Sequence, residues 1–239
     1  MKNFLRAKEW MLAAIAIAVA GLAGTVAGQT ATPDTQPKMR VAMRKDIPFV
    51  ATSMTMLQRR LADGTMVKAS SEDIVARDSM GRCYSDQHRV TGRPESKNIP
   101  YRPNVSDPIT HRFMHFVPPT RRVMVAPLAE APAEPKPVKA TTVQRHGAVT
   151  VKTEALPEQT LLGFAAWGQR VTTTIVREGK TVVILDEVWY SRELGMDLLR
   201  RHVDPVSGEE VTAIMELHRE QPDPALFEIP QGWEELETQ

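Results

Sequence analysis

The stretch GFAAWGQRVTTTIVREGKTVVILDEVWYSRELGMDLLRRHVDPVSGEEVTAIMEL, Gly163 to Leu217, decides the fold. Val171 to Val176 and Thr181 to Ser191 are dense in β-branched and aromatic residues and contain no Pro, the composition of a pleated, half-buried strand. Between them stands Arg177-Glu178-Gly179-Lys180, a short polar break with one Gly and a medium-strength hairpin signal. A two-residue loop at Glu178 and Gly179 sets the register: Arg170 opposite Glu187, Trp189 opposite Gly168 and Val183 opposite Thr174, with opposed Cβ atoms about 5 Å apart. That register predicts a cross-strand Arg170–Glu187 pair, because the carboxylate otherwise sits alone between Leu185 and Trp189. It reads first as an ion bridge that holds register and second as part of a ligand face. Leu194 to Val203, the turn Asp204-Pro205-Val206-Ser207-Gly208-Glu209 and Val211 to Leu217 continue the run as a meander of four strands.

Working outward, the 239-residue chain has 42% apolar and 25% charged residues, enough for one domain with a real core or two small ones. A formal net charge of +1 gives no electrostatic case for nucleic acid. The single cysteine, Cys83, excludes an internal disulfide and reads as a buried or reduced thiol.

Residues 1–28 carry Lys2, Arg6 and Lys8, an apolar run from Trp10 to Ala23, and the small residues Thr25 to Gly28. This is the layout of a secretory signal peptide, cleaved after Ala27 or Gly28. The expected location is the periplasm or the medium; the alternative is an uncleaved segment holding the chain at the inner membrane. Residues 29–45 read as a disordered lead, and 46–125 as about five N-terminal strands in hairpins. Asp63-Gly64 is the strongest turn signal among these, and the polar loop Thr91 to Pro108 interrupts them. Residues 126–147 hold the Pro- and Ala-rich run APLAEAPAEPKPVKA and read as a connector. Residues 148–233 form the C-terminal meander, expected in the same sheet because neither half alone has ample apolar area. Pro222 to Phe227 is expected to make one helical turn, with Leu226, Phe227 and Ile229 covering an open sheet face, and residues 234–239 a frayed tail.

Motifs for chemistry are few. The chain has no Gly-rich phosphate loop, no Gly-x-Ser-x-Gly elbow, no His-Glu-x-x-His and no Cys-x-x-Cys. His111 and His115 on one strand stand about 13 Å apart, too far to share a metal ion. Asp186 and Glu187, like Glu209 and Glu210, are adjacent and face opposite sides of a strand, so neither pair can work as acid and base. His202 beside Asp204 belongs to no triad. Met54 and Met56 share a strand face, as core filling or as an adaptable apolar surface. No cofactor, metal or catalytic residue is expected.

Five segments together resemble a group of uncharacterised exported proteins common in acidobacteria: PFVATSMTMLQRRLADGTMVKASSEDIVARDSMGR, DPITHRFMHFVPPTRRVMVAPL, LLGFAAWGQRVTTTI, DEVWYSRELGMDLLRRHVDPVSGE and PDPALFEIPQGW. The shared pattern is a LADG hairpin, a RDSxGR turn, a DP strand, a GxR strand, an ExWYS strand, an HxDPxxGE turn and a closing DPxLFxxP. The chain departs from it in the short loop Arg177 to Lys180 and in Cys83-Tyr84-Ser85. More loosely, the strand run with its LFxxP ending is similar to the periplasmic lipoprotein-carrier fold, a curved half-barrel. That resemblance implies an apolar concave face and licenses no function by itself.

The expectation is therefore a mainly β protein, a curved antiparallel sheet as a meander or half-barrel with little helix beyond the signal peptide. Its first functional reading is a non-enzymatic exported binding module for an apolar ligand such as a lipid or a lipoprotein acyl chain. Trp167, Trp189, Val183 and Leu185 are the candidate lining, beside Arg170 and Glu187. The alternatives are an envelope protein–protein interaction or sensor protein using a sheet edge and, third, a hydrolase with an unrecognised site.

Overall fold

The computed structural model describes residues 39–86, 103–130 and 133–238. The signal-peptide reading and most of the polar loop 91–108 fall outside them.

The described residues are nearly all β, one open, curled sheet of thirteen strands. The strands are β1 (Phe49–Arg60), β2 (Met66–Arg77), β3 (Cys83–Asp86), β4 (Asn104–Asp107), β5 (Arg112–Val117), β6 (Arg122–Pro127) and β7 (Thr142–His146). After these come β8 (Val149–Leu161), β9 (Phe164–Arg177), β10 (Lys180–Ser191), β11 (Met196–Asp204), β12 (Gly208–His218) and β13 (Glu234–Glu237). Two short 3-10 segments, Pro118–Thr120 and Pro224–Phe227, are the only helical elements among the described residues. From β1 the strands to β6 step outward one way; β7 starts at the opposite edge, and the strands to β12 step back until β12 lies against β1. Both halves therefore belong to one sheet, joined by the Val50↔His218 to Gln58↔Glu209 ladder.

This order gives the connector between β6 and β7 a geometric task. It must run along one rim past eleven ladder spacings, about 53 Å if the sheet were flat. Fourteen residues lie between the two strands, and their fifteen Cα steps, fully stretched, reach about 50–54 Å. The segment also detours to Arg44 through Glu134. The reach barely matches the flat span and the detour to Arg44 leaves no slack, which agrees with the curl of the sheet; the connector is a strap between its two ends.

Several boundaries differ from the sequence reading. β7 lies inside the expected connector 126–147, because Thr142 to His146 hairpins onto β8 through the positive-φ Gly147. β4 adds a sixth N-terminal strand from the end of the polar loop. The tail expected to fray forms β13, parallel to β6, where Glu234 pairs with Arg122 (2.8 Å) and Glu235 pairs with Arg112. In the lead expected to be disordered, Val41 bridges Met196 and the Arg40 amide donates to Asp197 Oδ2 (3.0 Å). The open backbone groups of the β10–β11 turn give these residues partners.

The turns also exchange rank. Glu178 (φ 51) and Gly179 (φ 72) form the two-residue loop with both positions left-handed. Asp63-Gly64 sits in a longer loop between Arg60 and Met66. There only Gly64 has positive φ (85), and Asp63 Oδ1 accepts from the Thr65 amide (2.9 Å).

Three buried clusters hold the sheet. Phe49, Leu194, Met196, Leu198 and Ile214 form one with Trp189. Val105, Phe116 and Val123 form the second, covered by Phe227 (3% exposed) with Leu226, Ile229 and Trp233. The closing 3-10 segment thus lies on the N-terminal half of the sheet. Asp223 caps it by accepting from the Ala225 amide (2.9 Å). Met54 and Met56 pack with Val211 and Met215 in the third.

Candidate functional site

The β9–β10 ladder has Glu187 opposite Arg170, Trp189 opposite Gly168 and Val183 opposite Thr174. Arg170 Nε donates to Glu187 Oε1 at 2.6 Å. The pair is part of a longer ladder. Arg201 Nη1 donates to Glu187 Oε2 (3.2 Å), and Arg201 Nε donates to Glu209 Oε1 (2.7 Å). Glu154 stands opposite Arg170 on β8. Charges of alternating sign thus run across β8 to β12 on one face. Glu187 is 5% exposed, and guanidiniums engage both its oxygens, so its buried charge is paired on two sides.

Replacing Glu187 with Gln is expected to lower stability by about 1–2 kcal/mol, read as a shift in the urea midpoint of the whole chain. The loss is moderate because the Arg170 side chain is 40% exposed and hydrates when released. An unchanged midpoint would mean that the ladder contributes nothing to register.

The tryptophans do not share a pocket. Trp167 lies opposite Tyr190 and Gly168 opposite Trp189, so strand alternation sends the two indoles to opposite faces. Trp167 packs against Tyr190 (centroids 5.6 Å), whereas Trp189 Nε1 donates to the Pro157 carbonyl (3.3 Å) within the first buried cluster. Val183 and Leu185 share the face of Glu187, and Val183 is 40% exposed.

The other face of β8 to β10 is apolar. Val149, Val151, Val171, Ile175, Val182, Ile184 and Val188 are each half-buried, and none belongs to any of the three clusters. Rows such as Val149–Ile175–Val182 cross three strands. Thr153, Thr173 and Gln169 lie between them, and one edge carries Asp186 with His202 Nδ1 at 2.7 Å. At the strap rim this face ends in Trp167 and Tyr190.

There Arg44 holds Glu134 of the strap. Its Nε donates to Oε1 (2.5 Å), Nη2 pairs with Oε2, and Nη1 donates to the Arg192 carbonyl (2.6 Å). The Arg44 hydrogen bond holds the Glu134 carboxyl below its usual range, and Glu134 in turn raises Arg44. Burial, then the Glu134 charge, raises the Tyr190 phenol. Beside the pair lies a cleft of about 280 Å³ lined by Arg40, Val41, Ala42, Met43, Arg44, Pro108 and Glu134. With side chains 25% and 41% exposed, the Arg44–Glu134 pair is worth about 0–1 kcal/mol.

His115 Nδ1 meets Asn104 Oδ1 at 2.7 Å, while His111 occupies the turn before β5 with φ 55. Among the described residues no group of three His, Cys, Asp or Glu gathers as a metal site, and no helix is long and apolar enough to cross a membrane. Burial pushes the Cys83 thiol up to about 12. At pH 8 it is expected to stay protonated and to react with an aromatic disulfide reagent only after denaturation. Stoichiometric labelling of the folded chain within minutes would contradict that assignment.

No protein-family model matches the chain, and no curated protein matches it. Solved structures do. The MucB crystal structure is 12% identical with a TM-score of 0.39, covering 81% of this chain and 61% of MucB. A domain from Vibrio parahaemolyticus described as an outer membrane lipoprotein-sorting protein domain is 8% identical (TM-score 0.32), covering 77% of this chain and 91% of its own. A DUF1329 family protein from Desulfovibrio piger is 10% identical (TM-score 0.33), covering 77% and 90%. This chain spans about three-fifths of the MucB length. The overlaps are partial, and no ligand or partner is transferred from these proteins to this chain.

Proposed function

We propose that the chain is an exported, non-enzymatic binding module whose open apolar sheet face takes an apolar ligand, a lipid or a lipoprotein acyl chain. The observation that carries this reading is the set of seven half-buried aliphatic side chains on one face of β8 to β10, outside the three buried clusters of the described residues. An exposed apolar face costs solubility unless something covers it. The ionic ladder on the opposite face is structural: it pins the register that keeps the aliphatic rows aligned. Export rests on the three-part pattern of residues 1–28, and N-terminal sequencing of secreted protein beginning at Gly28 or Gln29 is the direct check.

The test is titration with N-phenylnaphthylamine, an apolar fluorophore. The whole chain is expected to bind it, and Ile184→Glu to weaken binding by about tenfold or more, since a carboxylate buried under an apolar ligand is costly. Stability should change by less than about 1 kcal/mol, because Ile184 is only half-buried. Equal binding by both proteins would remove the face from consideration.

A second reading, an envelope interaction or sensor protein, draws on β7. All five of its residues are exposed, and it is one edge of the sheet, so a partner strand can add there. The neighbouring stretch of β8 carries Pro157 and a register shift, features that blunt an edge. The protein-docking surface is therefore short. Protection of β7 amides from hydrogen exchange by a partner, with the apolar face unaffected, would favour this reading.

A further inference from the structure

We infer that the Arg44 fork is a carboxylate site kept filled by the chain's own Glu134, and that the head group of a long-chain carboxylate displaces Glu134. The inference rests on the apolar-face reading and adds to it the chemistry of the ligand's polar end.

Arg44 is positioned without help from Glu134. Its Nη1 is tied to the Arg192 carbonyl, and its side chain lies so close over Gly195 that an added Cβ would stand 2.8 Å from Nε. Two donors, Nε and Nη2, face outward in the planar geometry that matches any carboxylate. Glu134 supplies one from a strap that forms no strand there, and its side chain is 41% exposed. An exposed partner on an irregular segment is held weakly and can be exchanged. Arg40 also lines the cleft, and Arg192 lies close enough to lower the Glu134 carboxyl. When Glu134 leaves, the site carries surplus positive charge and calls for an anion.

The cleft decides the size of what enters. At about 280 Å³ it lies just below the roughly 300–1,000 Å³ of pockets that enclose a whole small ligand. Val41, Ala42, Met43 and Pro108 give it an apolar floor, suited to a head group and its first methylenes. The remainder of the ligand has a path. Tyr190, beside Glu134, shares its strand face with Val188, Asp186, Ile184 and Val182, and the Asp186 carboxylate is engaged by His202 Nδ1 at 2.7 Å. From Tyr190 to Val182 this row runs about 26 Å, longer than the half of a ~30 Å hydrocarbon core that a single acyl chain spans. Charge at the rim and aliphatic side chains along the strand match an amphiphile with an acidic head.

The test compares palmitate with methyl palmitate, each displacing N-phenylnaphthylamine from the whole chain at neutral pH, in the natural protein, E134Q and R44M. Palmitate is expected to bind the natural protein more tightly than the ester. E134Q should bind palmitate about threefold to fivefold tighter than the natural protein does, with ester affinity unchanged, because the internal competitor has lost its charge. R44M should lose the preference for the acid while keeping the ester. The acid–ester comparison in the natural protein needs no substitution, so it stands even if a variant fails to fold. Equal affinity for acid and ester, with both bound, overturns the carboxylate site and leaves the apolar face intact. Binding of neither overturns both.

Discussion

Replacing Arg77 with Ala is expected to destabilise the chain by about 3–5 kcal/mol, the largest effect of any single side chain in this sheet. Arg77 is fully buried. Its guanidinium donates to the carbonyls of Ile47 (3.0 Å), Ala42 (2.6 Å) and Leu194 (2.7 Å) and lies 4.8 Å from the Phe49 ring centroid. Those carbonyls belong to the lead before β1 and the turn between β10 and β11, segments joined otherwise by the Val41–Met196 bridge and the Ala42 amide on the Gly195 carbonyl (2.8 Å). Burial lowers the Arg77 pKa, and three hydrogen bonds from a charged donor offset that desolvation at about 1.5–3 kcal/mol each. Removing the side chain leaves a cavity and three carbonyls without their donor. Arg77→Lys should cost less than Ala but still about 2 kcal/mol, since an ammonium lacks the planar fork that reaches three directions. Urea unfolding of the whole chain measures both; a loss below about 1 kcal/mol for Arg77→Ala would show that the lead and turn are held by other means.

Gly208→Ala is expected to cost about 3 kcal/mol or more. Gly208 starts β12 with φ 97, and a Cβ there would lie 2.4 Å from the Gln58 carbonyl oxygen and 2.9 Å from Arg59 Cα. Both obstacles are backbone of β1, so relief requires parting β1 from β12, the seam that joins the two halves. Gly64→Ala is the control. Its φ is similar, 85, but nothing lies within 4 Å of the added carbon. It should lose only the left-handed conformational term, about 1–2 kcal/mol. Equal losses at the two positions would place the Gly208 effect in φ alone and remove the close approach as its cause.

What the sequence made legible followed from local rules. A two-residue loop plus strand alternation yields the Arg170–Glu187 contact, and Pro224 with Asp223 yields the capped 3-10 turn. The same parity places Trp167 and Trp189 on opposite faces. That consequence of the register was available from residue numbers before any coordinates, and a shared tryptophan pocket was incompatible with it. Contacts set by distant partners were not legible. Arg201 reaches Glu187 past a register shift between Trp189 and Tyr190, which no turn rule supplies. β13 forms because Arg112 and Arg122 face an acidic tail that reads, alone, as frayed.

The turn Arg77-Asp78-Ser79-Met80-Gly81-Arg82 shows how a motif can be visible while its purpose is not. Asp78 accepts from the Met80 (3.0 Å) and Arg82 (2.8 Å) amides, a local arrangement. Arg77 clamps the lead, and Arg82 lies 4.7 Å from the Phe227 ring centroid of the closing segment. Both need residues more than thirty positions away. Arg44 and Glu134, ninety residues apart, carry no local signal at all; strand order, which sends the connector from β6 to β7, brings them together.

Native mass spectrometry of the whole chain, purified from a periplasmic extract, tests the central claim most directly. The account predicts a population carrying a bound lipid-sized mass, lost from the Ile184→Glu protein purified in the same way. Bare protein alone, or the same added mass on both proteins, would contradict an apolar face that holds a ligand.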